Sequence, residues 1–145
     1  VPAAKMKAKE AHTVHLSPRA VDVLKAMQGL DARFVFPSPL PGRQGQPMSN
    51  MAMLVTLDRL GYRDRTTVHG LARATFSTWA NETGAARPDV IEACLAHEES
   101  NKVRAAYMRA KFNEERRELL EAWAEFLARP PATVVALHAR RAAAA

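Results

Sequence analysis

Apolar residues recur every three to four positions in several stretches of the chain, and this spacing predicts amphipathic helices. The first helix has clear boundaries, because Ser17 is a good N-cap, Pro18 suits the first helical position and Gly29 ends it. Further helices are expected to begin near Ser49, near Thr66 or Thr67, at Pro88, around Val103 and at Asn113. The last helix has the strongest apolar stripe, formed by Leu119, Leu120, Trp123, Phe126 and Leu127.

Two regions have a pattern that favours extended structure instead. Lys5, Lys7 and Lys9 alternate with other residues ahead of 13–16, which is typical of a hairpin with one basic face. Residues 34–36 read as a brief buried strand that Pro37 stops, and 37–47 are too rich in proline and glycine to be anything but a loop. The sequence therefore predicts an α+β chain that is mainly α-helical, with a small N-terminal antiparallel β element.

Composition narrows the class of protein. The chain has 145 residues, enough for one domain with its own core, and one cysteine, which cannot form an internal disulfide. No run of about 18 apolar residues exists, so no membrane span is expected, and the N-terminus has no long apolar stretch after its lysines, so no secretory signal is expected either. The net charge of +6 favours a polyanion, most simply nucleic acid, as the partner.

One ordered set of polar side chains stands out, because each member lies beside apolar residues that would hold it in place. Arg73 offers a planar fork that matches two phosphate oxygens, and His69 and His97 can donate hydrogen bonds or protons. Lys7 can deliver a proton to a departing oxygen, and Tyr107 is a potential nucleophile once activated. No acidic pair or metal cluster accompanies them in the sequence. The set therefore favours phosphoryl transfer in which protein cations neutralise the phosphate charge.

In this order and spacing, the residues resemble the C-terminal catalytic domain of the tyrosine recombinases, specifically the prophage-type integrases. The resemblance extends over most of the chain, from residue 1 to about residue 127. It is carried by the segments 1–7, 12–17, 34–38, 68–76, 95–97 and 103–107.

The resemblance implies a role for each candidate. Lys7 would be the general acid for the 5′-oxygen leaving group, and Tyr107 the nucleophile that forms a 3′-phosphotyrosyl link to DNA. Arg73 would clamp the non-bridging oxygens, His69 would bind the phosphate and shuttle protons, and His97 would donate to the phosphate. No cofactor is implied, neither ATP nor a metal, because the bond energy is stored in the phosphotyrosyl ester.

Two features depart from the family pattern. One more residue than usual lies between His69 and Arg73, although positions three and four apart on a helix both stay on one face. The additional residue could instead occupy the turn before the helix, where Gly70 gives conformational freedom. A second catalytic arginine of the family precedes the lysine segment and is absent here. We therefore expect a fragment, with a catalytic domain at 1–128 and a tail at 129–145, that is inactive alone, since removing one such charge costs about 10²–10³ in rate.

The expected partners are double-stranded DNA attachment sites and other recombinase protomers, with no membrane and no small-molecule substrate. Such a protein would be cytoplasmic and associated with the bacterial nucleoid. The residues expected to contact DNA outside the catalytic set are Lys5, Lys9, Arg104, Arg109 and Lys111.

Other interpretations remain open for the sequence. The chain could be a non-catalytic basic nucleic-acid-binding helical module, a degenerate prophage remnant, or a topoisomerase with the same chemistry. Arg73 alone could be an arginine that pairs with Asp64 or Glu82, and His97 could simply follow a helix C-terminus. Cys94 is expected to be a small buried hydrophobe rather than a reactive thiol.

Overall fold

Helices form where the apolar spacing predicts them. The computed structural model describes residues 1–7, 9–97 and 111–130. A turn of π-helix at Gly70–Ala74 leads directly into α3, and the predicted helix around Val103 lies outside the described residues. The α-helices are α1 (Pro18–Ala26), α2 (Ala52–Arg59), α3 (Thr75–Glu82), α4 (Pro88–Cys94) and α5 (Asn113–Ala128).

Two of the predicted capping residues, Ser17 and Thr67, act as caps, whereas Ser49 and Asn113 do not. The backbone N–H of Ala20 donates to Ser17 Oγ over 3.3 Å at the start of α1. The backbone N–H of Gly70 donates to Thr67 Oγ1 over 2.9 Å, at the start of the helical stretch that contains α3. Each bond satisfies an N–H that the helix itself cannot pair, which fixes where the helix begins.

The core lies between α3, α4 and α5. Trp79 and Trp123 pack against it, with their ring centroids 5.0 Å apart. By contrast, α1 has no buried residue and α2 has only Leu57. The fully buried cluster consists of Phe76, Ala80, Val90, Ile91 and Leu119. These three helices therefore form the frame to which any site on their surface is attached.

The predicted N-terminal β element is wrong. Ala3–Lys5 is a turn of 3-10 helix and Lys9 has a φ of 54°, so the three lysines do not line one face of a strand. Among the described residues of this segment, a reciprocal backbone pair between Val1 and His12 is what joins its two ends. The alternating small residues offer little apolar area to bury, and an isolated two-stranded hairpin is marginal in water. The described residues are mainly helical, with almost no extended pairing.

The predicted strand at 34–36 is also wrong. Asp31 Oδ1 accepts the backbone N–H groups of Arg33 and Phe34, over 2.8 and 3.0 Å, which bends the chain just where the strand would begin. Phe36 is 44% exposed rather than buried. A single bridge, Pro37 with Pro47, closes the predicted loop, and neither proline can donate to a longer ladder.

A buried arginine ties the N-terminal segment to α5. Arg116 is only 5% exposed, and its guanidinium donates to the backbone carbonyls of Thr13 and Lys111. A guanidinium buried at this position fixes the path of the N-terminal segment over the helical frame. No helix of the described ranges is long and apolar enough to cross a bilayer.

Truncation of the core should be costly. We expect Ile91→Ala to lower the free energy of unfolding by about 2–5 kcal/mol, because Ile91 is fully buried between the helices. Leu60→Ala removes a similar side chain that is 64% exposed, and should change it by less than about 0.5 kcal/mol. Urea unfolding measures both, and equal effects would contradict this assignment of the core.

Acid should weaken the fold through His12. Burial, the charge of Arg116 and the N-terminal ammonium all lower the pKa of His12 from 6.5. His12 therefore binds a proton more readily in the unfolded chain than in the folded one. Its contribution to the free energy of unfolding is complete above about pH 6.5 and is lost as the pH falls. The urea midpoint of the natural chain should fall from neutral to acid pH by more than that of His12→Gln does. An equal fall in the two proteins would contradict this role of His12.

Candidate functional site

Arg73 reaches the end of α4 because the core orients the helix that carries it. It precedes the buried residues Phe76 and Ala80 by three and seven positions, which places it on the same face of the helix, one turn earlier. That face packs against α4. Accordingly, Arg73 Nη2 donates to the backbone carbonyl of Leu95, over 2.9 Å, just past the end of α4.

His97 is brought back toward the helix by the way α4 ends. Ala96 adopts a left-handed conformation with a φ of 55°. The backbone N–H of His97 then donates to the carbonyl of Glu92 over 3.0 Å, and that of Ala96 to the carbonyl of Ala93 over 3.3 Å. This is the Schellman arrangement of a helix C-terminus, here with alanine where glycine is usual. The chain therefore folds back on the last turn of α4 instead of leaving it.

The two side chains meet in a short hydrogen-bonded chain on the surface. Arg73 Nη2 contacts His97 Nε2, and His97 Nδ1 lies 2.5 Å from Glu92 Oε2. A guanidinium only donates, so Nε2 accepts, and the ring proton is on Nδ1, from which it is donated to the carboxylate. Candidate groups that are 24 residues apart in sequence thus lie side by side, and both are exposed.

The additional residue between His69 and Arg73 is taken up inside the helix. The backbone N–H of Thr75 donates to the carbonyl of Gly70, which is the hydrogen bond of a π turn, and the hydroxyl of Thr75 donates to the same oxygen over 2.9 Å. A π turn contains one residue more than an α turn. The additional residue therefore does not occupy the turn before the helix, and the register of α3 is unchanged by it.

A side chain at Gly70 would be crowded, and the φ of Gly70 lies outside the left-handed region. A Cβ at this position would lie 3.1 Å from Thr67 Oγ1 and 3.2 Å from Thr66 Oγ1. The capping hydroxyl of Thr67 approaches this close because it accepts the N–H of Gly70. The freedom of glycine expected from the sequence is thus not what the fold uses here.

The remaining candidates are exposed or lie outside the described residues. His69 is in the first turn of the same helical stretch as Arg73, and Lys7 is in the N-terminal segment. In the described ranges, no hydrogen bond joins either of them to Arg73 or His97. Lys5, Lys9 and Lys111 are exposed as well, while Tyr107, Arg104 and Arg109 lie outside the described residues.

The structure bears on two simpler roles considered for the sequence, those of Arg73 and Cys94. Within the described part of the chain, Arg73 pairs with neither Asp64 nor Glu82. Cys94 is half-buried, and burial raises the pKa of its thiol, so it remains protonated near neutral pH. No group of metal-ligating side chains that could hold an ion occurs among the described residues.

Glu92 is the residue of this site that the sequence did not indicate. It precedes His97 by five positions, a spacing at which two residues of a regular helix do not face each other. Only the left-handed Ala96 brings them together, and no glycine marks that position in the sequence.

Comparison with known proteins gives a consistent set of relatives. The model of the phage integrase family matches residues 1–114. Prophage integrase IntA of Escherichia coli (strain K12) is 41% identical over 129 residues, which cover 88% of this chain and 30% of that protein. Prophage integrase IntZ of the same strain is 40% identical over 129 residues, covering 86% of this chain and 30% of the relative.

An integrase from a phage matches a similar share of the chain. The integrase of Enterobacteria phage P4 is 34% identical over 126 residues, covering 84% of this chain and 28% of that protein. The chain thus spans about a third of the length of the curated relatives that it matches. No solved structure gives a significant match.

Two single-alanine deletions should separate the π turn from the position of Arg73. Either deletion lets the turn return to α-helix, but removing Ala72 leaves Arg73 in register with α3, whereas removing Ala74 rotates it by about 100° around the helix. We expect Arg73→Ala to cost about 1 kcal/mol of unfolding free energy in the natural chain and in the Ala72 deletion.

In the Ala74 deletion, the same substitution should cost nothing, because Arg73 no longer reaches the carbonyl of Leu95. Urea unfolding of the paired variants measures each cost. Equal costs in the two deletions would show that the register of Arg73 does not depend on α3.

Proposed function

Since the chain belongs to the phage integrase family, we propose that residues 1–128 are the catalytic region of a site-specific DNA recombinase, with 129–145 as a tail. In this proposal, the chain is part of a longer integrase, as the length of its relatives suggests. Its reaction would integrate or excise phage or other mobile DNA by cutting and rejoining strands.

The observation that carries the proposal is the contact between Arg73 and His97. Two groups that can donate to phosphate oxygens lie together at the exposed end of α4, on a frame fixed by the core. The guanidinium donates to one nitrogen of the imidazole, whereas both groups could donate charge-assisted hydrogen bonds to an anion that comes between them. The pair therefore suits a phosphodiester that displaces their direct contact.

The proposed reaction is two successive phosphoryl transfers. Tyr107 Oη attacks the phosphorus, the bond from phosphorus to the 5′-oxygen breaks, and a 3′-phosphotyrosyl ester forms. The phenol proton passes to His69 and the 5′-oxygen takes a proton from Lys7, so charge balances. Arg73 and His97 neutralise the non-bridging oxygens in the transition state.

In the second transfer, a 5′-hydroxyl of the partner strand attacks the phosphotyrosyl ester and releases Tyr107. One phosphodiester is broken and one is made, so the overall reaction requires no energy source. The contact of Arg116 with the backbone of Thr13 attaches the segment that follows Lys7 to the helical frame.

The proposed substrate is a pair of double-stranded attachment sites, each bound by recombinase protomers. Positive side chains around the catalytic groups would contact the phosphate backbone and make binding sensitive to salt, namely Lys5, Lys9, Arg104, Arg109 and Lys111. Such a substrate would place the protein at the bacterial chromosome, in the cytoplasm.

The nucleophile can be tested with the two tyrosines of the chain. The full-length integrase on nicked half-site DNA should form a covalent protein–DNA band on a denaturing gel. We expect Tyr107→Phe to abolish the band while leaving DNA affinity intact, because only the attacking oxygen is removed. Tyr62→Phe makes the same chemical change at an exposed loop residue and should form the adduct normally.

Each alternative gives a different result. DNA binding by the natural protein without an adduct would favour a non-catalytic nucleic-acid-binding module. An adduct that survives Tyr107→Phe and disappears in Tyr62→Phe would assign the nucleophile to the other tyrosine.

A further inference from the structure

We propose that Glu92 is a positioning residue that holds the ring of His97 with Nε2 directed at the phosphate beside Arg73. The inference rests on the proposed function, since it assigns to this chain a residue that supports the same site. Glu92 would touch no DNA, and its effect would be carried by the imidazole ring.

The two residues are joined twice. The backbone carbonyl of Glu92 accepts the backbone N–H of His97 over 3.0 Å, and its carboxylate lies 2.5 Å from Nδ1 of the ring. Both contacts depend on the left-handed Ala96, which turns the chain back over α4. A ring held at its backbone and at one nitrogen has little freedom left, so the direction of its other nitrogen is set.

The hydrogen-bond partners of the His97 ring also determine its tautomer. A carboxylate can only accept a hydrogen bond, so Nδ1 carries the proton, and Nε2 is left to accept from Arg73. When a phosphodiester displaces the guanidinium, Nε2 needs a proton to donate. Because Nδ1–H remains on Glu92, the ring can take that second proton on Nε2 without turning over, and the carboxylate balances its charge.

The position of Glu92 does not suit the helix that contains it. It lies in the last turn of α4, where the partial negative charge of the helix C-terminus disfavours a carboxylate. For the helix alone, a neutral or basic side chain would be more favourable there. Its partner in the structure, His97, accounts for the acidic side chain.

The tautomer can be measured on this chain without DNA. We expect ¹⁵N NMR of the neutral His97 ring to show the proton on Nδ1. In Glu92→Ala, the proton should move substantially to Nε2, and Glu92→Asp should restore part of the natural distribution. Glu125→Ala removes the same charge from an exposed position on α5 and should leave the ring unchanged. A natural ring protonated on Nε2, or a tautomer unaffected by Glu92→Ala, would overturn the proposal.

The effect on the reaction is tested with the full-length integrase in single-turnover formation of the covalent adduct. At saturating DNA, Glu92→Ala should slow the adduct by about ten- to a hundredfold, as losses of such supporting partners commonly do. DNA affinity should not weaken, because a negative charge near the phosphate is removed. Glu92→Gln keeps the shape and an acceptor without the charge, so its rate should lie between those of the natural protein and of Glu92→Ala. Glu125→Ala should react at the natural rate.

The outcomes separate the two proposals. An active natural protein with an equally active Glu92→Ala variant would overturn the role of Glu92 alone. Loss of activity that follows a loss of DNA affinity or of folded protein in both the Ala and Gln variants would also overturn it. A natural protein that binds DNA and forms no adduct would refute the proposed function, and the inference with it, even if the tautomer is as expected.

Discussion

The packing of α3 against α4 is the constraint on which the rest of the candidate site depends. Phe76 and Ala80 from one helix and Val90 and Ile91 from the other are buried together, and this contact fixes the two helices relative to each other. Arg73 lies one turn before the first pair, and the carbonyl of Leu95 that it reaches lies just after the second. The core therefore fixes the site by orienting two helix ends rather than by enclosing it.

Much of the helical structure could be predicted because its signals are local. Ser17 and Thr67 cap their helices through hydroxyl groups visible in the sequence, and Pro88 begins α4 as expected. The sequence pattern predicts more extended structure than the chain forms. Alternation around Lys7 gives a strand only when a partner strand or an apolar face supports it. The strand at 34–36 does not form for a related reason, because the turn at Asp31 and the following proline limit pairing to one bridge.

The site was only partly predictable. Arg73 and His97 could be selected from the sequence, but their contact depends on the core and could not be derived from spacing. Two features that shape it left no sequence signal. The π turn that absorbs an additional residue is not visible in an apolar periodicity, and the left-handed Ala96 that brings Glu92 to His97 lacks the glycine that usually marks such a cap.

The central claim is that Arg73 and His97 bind one phosphodiester together. A crystal structure of the full-length integrase on half-site DNA tests it most directly. We expect Nη2 of Arg73 and Nε2 of His97 to lie about 2.7–3.0 Å from the non-bridging oxygens of the phosphate that is cut, with their direct contact broken. A phosphate bound elsewhere, with the contact between the two side chains intact, would contradict it.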